Sequence, residues 1–167
     1  MRGRLLHAPL LALVLALGLA SGHSGPATAA DWAALPGWKV MKTPHSYADL
    51  IERLNTAVKA NKMGLVTRAS ATLGAKKVLD KDIPGNMVVG VYHPRFAVRM
   101  LEASVPAGIE APIRFYITEN GDKSATLSYK TPSSVFAPYS DGGEKLKAMA
   151  AELDEIFAKI ASEAVGP

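Results

Sequence analysis

Cysteine is absent from the chain, and that absence removes whole classes of chemistry. Disulfides, thiol catalysis, Cys-ligated zinc, iron–sulfur clusters and covalent c-type haem attachment are excluded, as is a lipid anchor attached through cysteine. Histidine is scarce, and only His45 and His93 stand beyond the first thirty positions. No tract rich in Lys and Arg resembles a nucleic-acid arm, so no nucleic-acid partner is expected. No G-x-S-x-G elbow, H-E-x-x-H helix or phosphate-spaced Gly-rich loop occurs. The sequence therefore points to no cofactor, no metal-ligand set and no hydrolytic centre.

Long apolar runs are missing too, except near the start. Arg2 and Arg4 precede an apolar stretch from Leu10 to Ala20, and small residues follow, ending Ala27-Thr28-Ala29-Ala30. A basic n-region, a short h-region and an A-x-A site describe a secretory signal peptide, cleaved after Ala29 or Ala30. The stretch is about half of the ~20 residues a membrane-spanning helix needs. It reads as a removable signal that leaves no membrane anchor, and in a Gram-negative host the mature protein is then expected in the periplasm. Cleavage would remove two of the 19 Lys and Arg and none of the 15 Asp and Glu, lowering the formal charge from +4 to +2. The remainder is of ordinary single-domain size, long enough for a core without staples. Residues 31–37 read as a flexible lead-in and 38–165 as one domain.

Within that domain, hydrophobic periodicity marks the elements. Trp38–Lys42 alternates as a strand that Pro44 is expected to end. Ser46 and Asp49 resemble a capping box, with Asp for the usual Glu or Gln. Tyr47, Leu50, Ile51, Leu54, Ala57 and Val58 then form one apolar helix face, with Gly64 as the expected stop. Leu65–Ser70 reads as a strand, Ala71–Leu79 as a short helix and Met87–Tyr92 as a strand of the sheet interior. Pro94 opens a helix at its first position, running to about Ser104. A loop follows from Pro106 to Pro112. Ile113–Thr118 and Ala125–Lys130 flank Asn120-Gly121, a hairpin signal. Residues 131–143 read as irregular, and 144–164 as a long amphipathic helix.

This order predicts an α+β two-layer sandwich, with a mixed, mostly antiparallel sheet and helices packed on one face. The other face can then be polar. Arg114, Tyr116 and Thr118 share one side of their strand, and Thr126, Ser128 and Lys130 one side of the next. Whether the two rows share a face depends on register; a two-residue turn at Asn120-Gly121 would favour it.

Several of these segments together resemble a known family. The run Ala111-Pro112-Ile113-Arg114-Phe115-Tyr116, then Asn120-Gly121, Leu127-Ser128-Tyr129 and Pro132, is similar to the bacterial domain-of-unknown-function family 302. Glu52-Arg53-Leu54, the turn at Gly64 and Ala75-Lys76-Lys77 fit the same pattern, so the resemblance spans roughly Trp38 to Ala164. It implies a compact α+β domain that self-associates, hence a homodimer, and it carries no established reaction. Members often end the central strand Gly-Asn-Pro, where this chain has Tyr92-His93-Pro94. Asn there would serve as a helix cap; His leaves room for another use.

The candidate site is electrostatic. A helix starting at Pro94 offers free N–H groups and the positive end of its dipole to an anion. His93 sits at that point, Arg114 is a candidate from a neighbouring strand, and Tyr92 and Tyr129 are candidate walls. In the bland alternative Arg114 pairs with Glu119 or Asp122 and the tyrosines fill the core. His93 and Met100 stand two helical turns, some 10 Å, apart and so do not share a metal. The functional expectation is an exported, non-enzymatic domain that binds a small anionic ligand or a protein partner. The alternatives are an enzyme using His93 and Arg114 on a small anionic substrate, or a haem- or copper-handling periplasmic protein using His93 or His45.

The export reading is directly testable. Fractionation should place the protein outside the cytoplasm, and N-terminal sequencing should begin at Ala30 or Asp31. Arg4→Glu should slow processing, since n-region charge sets insertion orientation. Full-length protein held in the membrane would overturn the reading.

Overall fold

Alternating strands have to bury one face, and here the helices supply the cover. The computed structural model describes residues 32–167; the expected signal peptide lies outside the described residues. The elements are β1 (Trp38–Ser46), α1 (Tyr47–Ala60), β2 (Gly64–Ala69), α2 (Ala71–Leu79), β3 (Asn86–Tyr92), α3 (Pro94–Ala103), β4 (Ile113–Glu119), β5 (Ser124–Lys130), α4 (Pro132–Phe136) and α5 (Gly143–Val165). Single 3-10 turns occupy Pro106–Glu110 and Ser140–Gly142.

The five strands form one sheet in the order β1-β5-β4-β3-β2. Every neighbouring pair is antiparallel, so the α+β sandwich is as expected while the parallel component of a mixed sheet is not found. The reason lies in the α1 crossover. It joins β1 and β2, which point the same way but occupy opposite edges, so no parallel neighbours result.

The core lies between this sheet and α1, α3 and α5. Leu50, Leu54 and Val58 of α1, Phe96 and Met100 of α3, and Met149, Leu153, Phe157 and Ile160 of α5 are buried against Val89, Val91, Phe115, Ile117 and Leu127. Phe157 stacks on Phe115 with centroids 4.8 Å apart and planes within 9°. Full burial of each such side chain contributes about 1.5–3 kcal/mol relative to exposure.

Local signals explain the ends of α1, with two corrections. Ser46 caps α1 as expected, its Oγ accepting the Asp49 N–H at 3.2 Å. Pro44, however, does not end β1. The strand runs on to Ser46 through an irregularity between Thr43 and Ser46. This is tolerated because β1 is an edge strand, where a missing N–H costs no ladder bond. Nor does Gly64 stop α1. Lys62 takes the left-handed position (φ 56), while Met63 N–H reaches Val58 O and Lys62 N–H reaches Lys59 O, each at 3.0 Å. That is a Schellman ending with lysine where glycine is usual; Gly64 opens β2 instead.

Two further segments differ from their sequence reading. Residues 132–136 of the expected irregular stretch form α4, capped by Thr131, whose Oγ1 accepts the Ser134 N–H. The lead-in folds back rather than trailing away, because Trp32 finds aromatic partners in Tyr116 and Trp38. Helix α2 forms as expected over Ala71–Leu79, yet it buries no residue. It is held by Ser70, whose Oγ accepts the Leu73 N–H, and by Asp80 in the left-handed region.

Gly90 marks where the sheet tolerates no side chain. A Cβ there would lie 2.1 Å from Thr67 Oγ1 and 2.7 Å from Pro112 Cγ. Gly74, inside α2, has nothing within 4 Å of such an atom. Gly90→Val should therefore destabilise by about 1–3 kcal/mol through overpacking. Gly74→Ala should stabilise by about 0.5–1 kcal/mol. Urea unfolding of the two variants beside the parent checks both signs.

Candidate functional site

The side of the sheet turned away from the helices carries the groups that composition could not place. On β4, Ile113, Phe115 and Ile117 point into the core, so Arg114, Tyr116 and Thr118 point out. The register sets Tyr116 opposite Ser128 on β5 and opposite Val88 on β3. Thr118 lies opposite Thr126 and Asn86, and Trp38 opposite Lys130. The two polar rows do share a face, but not by the expected turn. A two-residue turn at Asn120-Gly121 would pair Glu119 with Asp122 and send Thr126 and Ser128 to the side of Phe115. Instead Glu119 pairs with Ala125, and residues 120–124 between them restore the parity. Asn120 N–H donates to Ser124 O at 2.8 Å, and Lys123 takes the positive φ (69).

This open face holds a groove of about 680 Å³. Val88 and Tyr116 form its floor, Trp38, Lys130 and Val135 border one side, and Ala69, Ser70 and Asn86 the other; Glu110, Arg114 and Tyr129 are also among the lining residues. A second hollow of about 670 Å³ on the same face is bordered by Trp32, Lys42, Glu119 and Asn120. Asn86 and Tyr116 border both. The groove's lining is aromatic and aliphatic, with its charges few and specific, as small-molecule sites usually are.

Two cations and one carboxylate set its electrostatics. Lys130 Nζ lies 5.7 Å from the Trp38 ring centroid. Arg114, 61% exposed, makes a loose 3.8 Å contact with Glu110 Oε2. Glu110 is held more firmly by Tyr139, whose hydroxyl donates to Oε1 at 2.7 Å. That bond, with a lesser contribution from burial, raises the Tyr139 pKa. The groove thus presents excess positive charge beside an apolar floor.

The four sequence-predicted residues are not assembled into one site. Arg114 is in the groove, but its ion partner is Glu110 rather than Glu119 or Asp122. Glu119 instead accepts the Gly85 N–H and binds Lys123, in that order the main causes of its lowered pKa. Tyr129 borders the groove, yet its ring belongs to the core, 5.1 Å from Phe115 and 6.0 Å from Phe157; burial raises its pKa. Tyr92 and His93 border a different hollow of only about 30 Å³, beneath Phe96 and Met100. His93 caps α3, its Nδ1 accepting the Arg95 N–H at 3.1 Å, so it performs the capping task expected of Asn. The expected convergence of the α3 dipole with Arg114 fails on strand geometry. Helix α3 packs on the core side, and Arg114 alternates with the residues that face it.

His45 is engaged elsewhere. Its Nε2 bonds Gly166 O at 2.8 Å and its Nδ1 faces Asp49 at 3.3 Å. Among the described residues no three His, Asp or Glu side chains gather as a metal-ligand set. Sequence reasoning missed Trp38, Val88 and Glu110 as groove residues. The alternation that placed Trp38 on one side of β1 was visible, but its neighbours depended on register.

The family model described as "Domain of unknown function DUF302" matches residues 39–164. A solved structure, the "uncharacterized conserved protein DUF302 from Bacillus stearothermophilus", is similar with a TM-score of 0.69 and 16% identity, covering 78% of this chain and 99% of that one. At that identity the likeness speaks for the fold alone. None of the curated proteins matches.

The separation of the site residues predicts how their variants behave. Arg114→Ala should change stability by less than about 1 kcal/mol, because an exposed, loosely held ion pair contributes little. His93→Asn should keep the cap and melt within a few degrees of the parent, whereas His93→Ala should lose roughly 0.5–2 kcal/mol. Thermal unfolding followed by circular dichroism distinguishes these outcomes.

Proposed function

This chain belongs to the family described as domain of unknown function DUF302, and we propose that it is an exported, non-enzymatic domain that binds a small anionic ligand in the groove on the open face of its sheet. The carrying observation is the groove itself. Its volume of about 680 Å³ lies within the range of small-molecule sites, and Arg114 and Lys130 border an aromatic and aliphatic floor. An apolar body would be buried against Val88 and Tyr116, with its acidic group reaching the two cations. Each charge-assisted hydrogen bond there would contribute about 1.5–3 kcal/mol. The groups bordering the groove favour binding over chemistry, since Glu110 is committed to Tyr139. The enzyme alternative built on His93 and Arg114 loses its basis because those residues border different hollows.

Self-association is a second part of the proposal, supported by an uncovered surface. Leu73, Val78 and Leu79 of α2 and Val66 of β2 are all more than half exposed, the helix lying in the connection from β2 to β3. Exposed apolar side chains of this size favour an interaction surface, and a second copy of the chain would cover them as a homodimer.

The only two tryptophans of the chain, Trp32 and Trp38, both lie on the open face, so intrinsic fluorescence reports occupancy of the groove. Titration with decanoate and with 2-naphthoate should shift or quench that emission for at least one of them. The double variant Arg114→Ala/Lys130→Ala should weaken the response at least about tenfold, or 1.4 kcal/mol. No response to either anion would remove the ligand-binding reading. Light scattering on the same samples across micromolar dilution should give twice the mature mass, and a monomer throughout would remove the dimer.

A further inference from the structure

Trp32 belongs to no strand of the sheet, yet it covers part of the open face. The lead-in makes a helical turn, with Leu35 N–H donating to Trp32 O at 3.0 Å and Trp38 N–H to Leu35 O at 3.2 Å. Gly37 then turns the chain with φ 76, at a point where a Cβ would collide with Ser134. Gly37 O is pinned by the Thr131 N–H at 2.8 Å. The turn lays the Trp32 indole over Tyr116, centroids 5.8 Å apart and planes within 25°. It also rests against Trp38 at 6.3 Å, tilted by 51°. Tyr116, with Asn86, borders both hollows of this face; the indole lines the second hollow and lies over the Tyr116 ring that the groove shares.

We propose that the groove takes a planar aromatic anion and that Trp32 is the internal occupant which such a ligand displaces from Tyr116. This rests on reading the groove as a ligand site and adds the class of ligand and the device that gates it. The face itself displays the chemistry it accepts, a flat ring lying nearly parallel to the Tyr116 ring beside a second aromatic wall. Offset stacking of that kind stabilises beyond area burial, and it is available equally to an external ring. The anionic part follows from Arg114 and Lys130. Lys130 already approaches the face of Trp38, and the carboxylate nearest Arg114 is held by Tyr139.

Displacement is open to Trp32 because the lead-in precedes β1, whose ladder to β5 begins at Trp38. Trp32 can leave Tyr116 without breaking a strand pairing. A ligand that must first evict the indole binds with an apparent affinity reduced by the fraction of molecules whose face is uncovered. Removing the indole removes that reduction.

Isothermal titration of the whole protein with 2-naphthoate, and separately with decanoate, tests both parts. The parent should bind 2-naphthoate more tightly than decanoate. Trp32→Ala should bind 2-naphthoate roughly 3- to 10-fold more tightly than the parent, and Trp32→Phe, which keeps a smaller ring, should fall between. Circular dichroism melting of both variants confirms that they are folded. Unchanged or weaker binding by folded Trp32→Ala would overturn displacement and make Trp32 a wall of the site. Decanoate binding as tightly as 2-naphthoate would overturn the aromatic class and leave the groove reading standing. If neither anion binds, both readings fall.

Discussion

Phe157 of α5 lies face to face with Phe115 of β4, and the direction of every other β4 side chain follows from that contact. Phe115 is in the central strand, and fixing it inward fixes Ile113 and Ile117 inward and Arg114, Tyr116 and Thr118 outward. The antiparallel ladders then carry this choice sideways, to Val88 and Asn86 on one flank and Ser128 and Thr126 on the other. A one-residue slip would exchange the two faces completely. The groove on the open side is therefore a consequence of packing on the closed side. Tyr129 strengthens the same contact from β5, which is why it serves the core.

Much of this was legible in the sequence wherever one element decides its own fate. The apolar stripe of α1, the Ser46 cap, the extent of α2 and the alternation of β4 are written in spacings of a few residues. What the sequence concealed was the relation between elements. The hairpin is the clearest case, because Asn120-Gly121 has the composition of a two-residue turn while Lys123 adopts the positive φ. That shift in turn length decides whether Thr126 and Ser128 join Arg114 or oppose it. Lys62 shows the same effect at the end of α1, where tertiary context places lysine in a conformation that propensity assigns to glycine.

The site was legible only in part for the same reason. Arg114 could be read as outward from its own strand, but His93 could not be set against it without knowing which face α3 covers. The sheet between them makes the difference. Trp32 was hidden for another reason, since a tryptophan in a short segment without periodicity offers no pattern from which a partner can be inferred. Its position depends on Gly37 and on the anchoring of that residue by Thr131, a contact distant in sequence.

The two margins of the sheet are unlike. At β1, Pro44 lacks an N–H to offer a newcomer and stands at an irregularity in the strand, which discourages extension there. At β2, the margin carries exposed Val66 and no proline. A sheet that can be lengthened from one side only cannot propagate as a filament, because joining consumes the single receptive margin of each molecule. Were copies to join through that margin, like would meet like and the assembly would close at two. A proline embedded in an edge strand thus bounds the size of any aggregate built by strand addition, independently of how strongly the opposite margin attracts.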